Sequence, residues 1–316
     1  MRIAIMGSGG MGGFIGAKLA GAGHDVIFIA RGKHLNALKS SGLKLLSKEG
    51  NLHVNPVEAY ENTQDVGVVD LIIFSVKLYD TEQAAKACLP MMGDKTFILT
   101  LQNGVQSVEI ISQTVGNDKT IGGSIYVSAN IDSPGVIKHS GGNNTIHFAE
   151  LCNRKSTRTD ILEQLFPEAG LIGIRAENLQ EMLWTKFILL CANASIGSLT
   201  DSGAVTMCRD PDTKEILLAA MWEVYHVATA MGISLNDDAV EKNLDLILSV
   251  GKGKDLMASQ CLDLRQGNRL ELEWIQGTVH RLGKKYNVPT PVNSTAYVAL
   301  KRFSQGGNKG SIIEKL

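Results

Sequence analysis

Cysteine is scarce in this sequence and is not arranged as a metal site or a disulfide framework. None of the five cysteines forms a C-x-x-C pair, and none of the seven histidines pairs with Glu or His at metal-site spacing. We therefore expect no disulfide framework, no zinc site and no bound metal. The cysteines are Cys88, Cys152, Cys191, Cys208 and Cys261.

An excess of charge of either sign is also missing. The 31 basic and 32 acidic residues give a formal net charge of −1, which provides no general attraction to nucleic acid or anionic lipid. The sequence shows no basic segment followed by an apolar signal core, and no long uncharged apolar stretch. We therefore expect no targeting segment, no membrane span and a cytoplasmic location.

Apolar runs alternate with helical patterns over the first half of the chain, with no long Pro/Ser linker and no repeat. Continuous apolar strands between helices predict a mostly parallel sheet buried on both faces, as in a Rossmann-type α/β fold. Two hairpins are predicted, one around residues 49–51 and one turning at residues 141–144. Strand signals then give way to long helical patterns. We predict a Rossmann-type domain over residues 1–176 and an all-α domain over residues 177–316.

Glycines are concentrated after the first predicted strand. Residues Gly7-Ser8-Gly9-Gly10-Met11-Gly12 fit G-x-G-x-x-G between a strand and a helix, the context that a dinucleotide-binding motif requires. The first glycine allows a tight turn, the second admits a pyrophosphate, and the third lets helix and strand pack closely. The helix N-terminus adds free N–H groups and partial positive charge. A glycine-rich turn without a ligand is the alternative, and the flanking strand and helix favour dinucleotide binding.

The end of the second predicted strand indicates which dinucleotide binds. NAD sites usually place Asp or Glu there, bonded to the ribose 2′-OH. This sequence has Ala30 and Arg31 instead, followed by Lys33. A carboxylate repels a 2′-phosphate, whereas a guanidinium binds it in a bidentate way. We therefore predict NADP(H); a solvent-exposed arginine without a ligand is the alternative.

Four further segments follow in a fixed order. "FSVK" ends at Lys77, "LQNG" contains Asn103, "EMLWTKF" contains Lys186, and "SQCLDLRQGNRLELEWI" contains Ser259 and Glu271. Together with the glycine motif and the basic residue after the second strand, this order resembles the ketopantoate reductase (2-dehydropantoate 2-reductase) family over nearly the whole chain. The resemblance implies reduction of a branched 2-oxo acid with NADPH, on the way to pantothenate.

The resemblance also implies roles for individual residues. They are Lys186 as general acid, Glu271 beside it, Ser259 near the substrate carboxylate, Asn103 near nicotinamide and substrate, and Lys77 and Arg31 on the cofactor side. The chemistry agrees, because hydride delivery to a ketone leaves an alkoxide that needs a proton donor. A lysine in so apolar a helix either extends to solvent or takes part in chemistry. The alternative for Glu271 is a solvated acid in the first turn of a helix.

The sequence departs from the family at two positions. Family members typically carry asparagines four and eight residues after the lysine, where this chain has Leu190 and Ala194. Asn193 lies on roughly the same helical face as Lys186 and can substitute for one of them as a substrate-binding residue. Leu190 cannot replace an amide, so the pocket is expected to be more apolar and the natural substrate stays open.

Three functions are compatible with these residues. The first is NADPH-dependent reduction of a 2-oxo acid, with 2-dehydropantoate as the leading substrate in pantothenate biosynthesis. The second is a paralogous reductase or dehydrogenase for another 2-oxo or hydroxy acid. The third is a non-catalytic NADP-binding sensor. The expected partner is a small-molecule 2-oxo acid, with no nucleic acid and no membrane; a homodimer and the direction of the reaction are left open.

Overall fold

The computed structural model describes residues 1–250, 255 and 257–307. Within these residues, an α/β region with one large sheet precedes a region built from helices. The predicted fold class, a mostly parallel Rossmann-type sheet followed by an all-α domain, is therefore confirmed.

The chain divides into two compact units. The sheet unit contains Met1–Gln102 and Gln106–Leu179, and the helical unit contains Asn103–Val105 and Gln180–Leu316. The short loop that carries Asn103 therefore groups with the helices that follow later in the chain. The boundary expected between residues 176 and 177 stays a prediction.

The described part of the sheet unit contains ten strands in one sheet. In chain order they are β1 (Arg2–Met6), β2 (Asp25–Ile29), β3 (Leu43–Ser47), β4 (Leu52–Val54), β5 (Glu58–Tyr60), β6 (Val69–Phe74), β7 (Met92–Thr100), β8 (Thr120–Ser133), β9 (Val136–Glu150) and β10 (Ile172–Arg175). Their spatial order is β4-β3-β9-β8-β7-β6-β1-β2-β5, and β10 pairs with β9. Two pairs are antiparallel, β3 with β4 and β8 with β9, and the remaining described pairs are parallel.

Helices cover both faces of this sheet. They are α1 (Gly10–Gly21), α2 (Gly32–Ser41), α3 (Thr81–Cys88), α4 (Ser107–Val115) and α5 (Thr157–Glu168). The alternation of side chains along β1 shows the two-sided burial: Ile5 belongs to one apolar cluster with Phe14 of α1, whereas Ala4 belongs to another with Ala84 of α3. A strand buried on both faces must be apolar throughout, which explains the continuous apolar runs.

One predicted hairpin is present and the other is misplaced. Strands β3 and β4 pair antiparallel around the expected turn. The second hairpin, however, joins β8 to β9 at Pro134 and Gly135, not at residues 141–144, which lie inside β9. Gly135 has φ +78°, the conformation that the third residue of a type II turn requires after proline. Gly141 and Gly142 also have positive φ, and they accommodate register shifts between β8 and β9 instead of a chain reversal.

The described part of the helical unit is built around a long helix, α6. The helices are α6 (Leu179–Thr200), α7 (Ala204–Arg209), α8 (Pro211–Ala230), α9 (Ala239–Val250), α10 (Ser259–Gln266), α11 (Gln276–Lys285) and α12 (Pro291–Leu300). Among the described residues, α6 is the one helix whose length and composition match a membrane span, and 61% of its most apolar window is buried inside the protein. Core helices of soluble proteins pass the same test, so this match is weak evidence for a membrane span.

Candidate active site

The glycine-rich turn connects β1 to α1 in a conformation that only glycine adopts easily. Gly7 has φ +95°, and a Cβ there would lie 2.8 Å from both Cγ1 and the backbone N of Val76. The Ser75 hydroxyl donates to the Gly7 carbonyl oxygen at 2.9 Å and ties the turn to the end of β6. The turn is thus held against the carboxyl edge of the sheet, where α/β proteins bind ligands.

The other glycines of the motif have different neighbours. A Cβ at Gly12 would overlap the Gly7 carbonyl oxygen and the Ser75 hydroxyl, so Gly12 lets α1 pack closely on β1. A Cβ at Gly10 would overlap the backbone of Ala129 in β8, so Gly10 also serves packing inside the sheet unit. Gly9 differs from both, because a Cβ there would meet no described atom within 4 Å.

The N-terminus of α1 is open beside Gly9. Gly9 is the N-cap residue of α1, and no side chain caps this helix end. The N-terminal turn of a helix carries backbone N–H groups without intrahelical partners and a partial positive charge. The open space beside Gly9 therefore lies where a phosphate group gains the most from these N–H groups.

Basic residues follow two strands at this edge. Arg31 is exposed at the N-cap of α2, directly after Ala30 and the end of β2, and Lys33 is exposed in the first turn of α2. Lys77 is half-buried, just beyond the end of β6. No carboxylate stands at the end of β2, the position that an NAD site usually gives to an acid.

Lys186 and Asn103 form a hydrogen-bonded pair in the helical unit. Helix α6 carries Lys186, whose Nζ donates to Oδ1 of Asn103 at 3.1 Å. Burial lowers the pKa of Lys186 from 10.5 to about 8, and the negative charge of Glu271 opposes this shift. An ammonium group with this pKa loses its proton near neutral pH far more readily than an exposed lysine, which suits a general acid.

Glu271 belongs to the same site. It lies in the turn that precedes α11, and only 6% of it is exposed. It is therefore not the solvated acid of a first helical turn, which was the alternative from the sequence. A buried carboxylate needs compensation by hydrogen bonds or opposite charge, and Lys186 supplies positive charge.

The remaining candidates lie on α6 and α10. Asn193 and Leu190 are half-buried and follow Lys186 along one side of α6, whereas Ala194 is buried. Ser259 is the exposed first residue of α10. Its role beside the substrate carboxylate stays a prediction, as do the cofactor contacts of Arg31 and Lys77.

The direct hydrogen bond between Lys186 and Asn103 has no local sequence signal. The family resemblance implies a place for this asparagine near nicotinamide and substrate, and nothing in its local sequence points to a lysine 83 positions further along the chain. The sequence also gave no sign that the Asn193 carboxamide oxygen is buried without a hydrogen-bond partner among the described residues.

Known proteins resemble this chain over nearly its whole length. The sequence matches the family models for ketopantoate reductase PanE/ApbA at residues 3–153 and for its C-terminal region at residues 178–304. A 2-dehydropantoate 2-reductase from Mesorhizobium japonicum is 27% identical, over 96% of this chain and 98% of the relative.

Solved structures also resemble this chain over nearly its whole length. A PanE/ApbA family ketopantoate reductase from Ralstonia eutropha superposes with a TM-score of 0.87 at 28% identity, covering 96% of this chain and 98% of that one. A D-mandelate dehydrogenase solved with NADH and anilino(oxo)acetate has a TM-score of 0.87 at 21% identity, covering 96% and 98%, and shares the fold. With both family models matched in chain order, this chain belongs to the ketopantoate reductase PanE/ApbA family of oxidoreductases, which use a nicotinamide cofactor.

Proposed function

We propose that this protein reduces the ketone of a 2-oxo acid to a 2-hydroxy acid with NADPH, and that 2-dehydropantoate is its substrate, as a cytoplasmic step of pantothenate biosynthesis. The observation that carries the proposal is the Lys186 ammonium group, which is bonded to Asn103 at 3.1 Å, close to the buried Glu271, in a chain of this family. These residues provide what ketone reduction requires, a positioned proton donor with fixed charge around it.

The proton moves from Lys186 to the substrate oxygen. When bound, the cofactor supplies a hydride to the carbonyl carbon, and the π electrons of the carbonyl bond pass to its oxygen. Lys186 Nζ then donates a proton to that oxygen and becomes a neutral amine. Its lowered pKa makes this transfer easier, while Glu271 keeps a sufficient fraction of the lysine protonated near neutral pH.

Asn103 and Glu271 position the lysine. Asn103 accepts from Nζ and so restrains a side chain that would otherwise sample many rotamers. Glu271 provides the opposite charge, and its carboxylate also suits a hydroxyl group of the substrate. Ser259 is proposed to meet the substrate carboxylate.

The sheet unit is proposed to hold the cofactor. The pyrophosphate would lie beside Gly9 at the N-terminus of α1, which is open and without a side-chain cap. Arg31 would bind the 2′-phosphate, since no acid at the end of β2 opposes it. Lys77, after β6, is a second cation on the cofactor side.

A panel of 2-oxo acids tests this function. NADPH oxidation should be fastest with 2-dehydropantoate, and Lys186→Ala should abolish most of it. Lys242→Ala is the matched control, because Lys242 is an exposed lysine of α9 paired with Asp238. If wild-type protein oxidises NADPH with none of the panel, the proposal is wrong and a cofactor-binding sensor takes its place.

A reductase for another 2-oxo acid is the second candidate. The observation that favours it is Leu190, a half-buried apolar side chain one helical turn after Lys186. The same panel of 2-oxo acids distinguishes the two candidate functions. If the second is right, kcat/KM should be higher for an apolar 2-oxo acid than for 2-dehydropantoate.

A further inference from the structure

The turn between α6 and α7 is hydrogen-bonded to the chain on both sides of Ser259. On one side, Asp201 of this turn accepts hydrogen bonds from α10, the helix that begins at Ser259. On the other side, Asp255 lies four residues before Ser259 and bonds to the first turn of α7. All these residues belong to the helical unit. The residue that is proposed to meet the substrate carboxylate is therefore restrained from two directions.

Asp201 ties the end of α6 to α10. Its Oδ1 accepts from Arg265 Nε at 2.7 Å and from Cys261 Sγ at 3.6 Å, and Arg265 Nη2 donates to its carbonyl oxygen at 3.4 Å. The hydrogen bond from Arg265 lowers the pKa of Asp201, so this carboxylate is charged at neutral pH. Two successive turns of α10 are thereby held at the end of α6, the helix that carries Lys186.

Asp201 occupies a position where helices usually end on glycine. Its φ is +52°, and the N–H of the next residue, Ser202, donates to the Gly197 carbonyl oxygen at 3.2 Å, the backbone pattern of a Schellman motif. A residue other than glycine in this left-handed conformation carries backbone strain. Glycine would remove the strain but would also remove the carboxylate. The hydrogen bonds to α10 therefore account for an aspartate at this position.

Asp255 supplies the N-terminal cap that α7 lacks. Gly203 is the N-cap residue of α7 and has no side chain to accept from the N–H groups of the first turn. Asp255 Oδ1 accepts instead, from Val205 N at 2.9 Å and from Thr206 N at 3.3 Å. A Cβ on Gly203 would overlap Cγ and both oxygens of the Asp255 carboxylate, so the glycine is what admits this carboxylate.

We propose that Asp201 and Asp255 are positioning residues for the 2-oxo acid, and that together they hold Ser259 where its hydroxyl binds the substrate carboxylate. This inference rests on the proposed function, in which Lys186 protonates the ketone oxygen of the same molecule. A 2-oxo acid carries its carboxylate and its ketone on adjacent carbon atoms, so the protein groups that bind them must keep a fixed separation.

The first turn of α10 needs such a restraint. Ala258 is its N-cap residue, and no side chain of the described residues caps this helix. Uncapped helix ends fray, and Ser259 is exposed at the first position. A hydroxyl that samples several positions binds a carboxylate more weakly than a fixed one, because binding must then also supply the ordering. The contacts of Asp201 and Asp255 supply that ordering before the substrate arrives.

Asp201→Gly and Asp255→Ala each remove one of the two contacts. Glycine suits the left-handed conformation at position 201, so α6 should end as before. KM for 2-dehydropantoate should rise roughly three- to tenfold in each variant, because part of one hydrogen bond to a charged group is lost. kcat and the dissociation constant of NADPH should change less. Asp255→Asn keeps an oxygen that accepts from N–H groups, so it should restore most of the wild-type KM.

Ser259→Ala distinguishes positioning from a general loss of stability. In that background the hydroxyl is gone, so Asp201→Gly and Asp255→Ala should raise KM no further, whereas a purely structural effect would add to that of Ser259→Ala. Asp210→Ala is the matched control, because Asp210 caps α8 by accepting from Thr213 N at 2.8 Å. It removes the same kind of cap from another helix and should leave KM at the wild-type value.

Gly203→Ala displaces the Asp255 carboxylate by a different change and should raise KM as Asp255→Ala does, so the test does not depend on the folding of one variant. A wild-type KM in these variants, a wild-type KM in Ser259→Ala, or effects that add fully to that of Ser259→Ala would overturn the positioning role and leave the proposed reduction intact. Loss of reduction with every 2-oxo acid in the wild-type protein would instead overturn the proposed function.

Discussion

Lys186 Nζ donates a hydrogen bond to Asn103 Oδ1 at 3.1 Å, although 83 residues separate the two in the chain. The loop that carries Asn103 follows β7, yet it groups with the helical unit through residues 103–105. A lysine held in this way loses rotamer freedom before the substrate binds. The reaction then need not supply that ordering, which is how positioning lowers a barrier.

Removal of Lys186 tests the proton donor directly. We expect Lys186→Ala to lower kcat by about 10²–10⁴-fold, the usual contribution of a positioned general acid. The dissociation constant of NADPH should stay nearly unchanged, because the proposed cofactor contacts belong to the sheet unit. Stopped-flow or steady-state rates measure kcat, and fluorescence titration measures the dissociation constant of NADPH, with Lys242→Ala as the control for both. If Lys186→Ala turns over as fast as the wild-type protein at saturating substrate and NADPH, this mechanism is excluded.

The pH dependence of the rate should report the Lys186 pKa. The ammonium form is the active acid, so kcat/KM should fall as pH rises above about 8, the value to which burial lowers the lysine. Glu271→Gln removes the charge that opposes this shift, so the descending limb should move to lower pH. Glu273→Gln is a suitable control, because Glu273 pairs with Arg281. An unchanged limb in Glu271→Gln would show that the carboxylate does not influence the acid.

The same pKa predicts a stability cost at the site. Because the pKa of Lys186 is lower in the folded protein than its usual 10.5, the unfolded chain binds more protons between pH 8 and 10.5, and stability should rise with pH in that window. Lys186→Met removes the titrating group, so the rise in stability that it contributes between pH 8 and 10.5 should be missing from the variant, whatever the loss of positive charge beside the buried Glu271 costs at a single pH. Urea unfolding at several pH values measures this. A rise of equal size between pH 8 and 10.5 in the wild-type protein and in Lys186→Met would contradict the lowered pKa of Lys186.

Arg31 is predicted to decide between the two nicotinamide cofactors. Arg31→Asp replaces a guanidinium by a carboxylate that repels a 2′-phosphate. NADPH should therefore bind at least tenfold more weakly, while the affinity for NADH should change little. Arg209→Asp, an exposed arginine of α7, controls for the change in net charge. Isothermal titration with both cofactors gives the comparison. Equal affinity of the wild-type protein for NADPH and NADH would remove the basis for this prediction.

Much of the fold was predictable because it depends on local patterns. Buried parallel strands must be apolar throughout, and the alternation of such runs with helices identifies the α/β class. The predicted position of the hairpin between β8 and β9 is wrong because this segment contains two sequence patterns typical of turns. Pro134 and Gly135 form the turn, whereas Gly141 and Gly142 use their positive φ inside a strand. Only the pairing of distant backbone groups decides between these positions.

The sequence predicts those parts of the candidate site whose residues are close together in the chain. The glycine motif works through steric contacts between neighbouring elements, so spacing alone reveals it: Gly7 and Gly12 both pack where a Cβ would collide. The pairing of Lys186 with Asn103 and the burial of Glu271 depend on the packing of segments far apart in the chain. No local pattern encodes that packing, and the order of motifs could suggest it only through the family resemblance.

Leu190 provides the sharpest test of substrate choice. It lies one turn after Lys186, between the proton donor and Asn193, and its side chain cannot form a hydrogen bond. Leu190→Asn adds an amide on that face, so the ratio of kcat/KM for 2-dehydropantoate over trimethylpyruvate, its analogue with a methyl group in place of the hydroxymethyl group, should rise by about fivefold, since one neutral hydrogen bond contributes roughly 1 kcal/mol. Leu190→Met keeps an apolar side chain of similar volume and should leave the ratio unchanged. If Leu190→Asn and Leu190→Met give the same ratio, Leu190 does not contact the substrate side chain, and substrate choice depends on other residues.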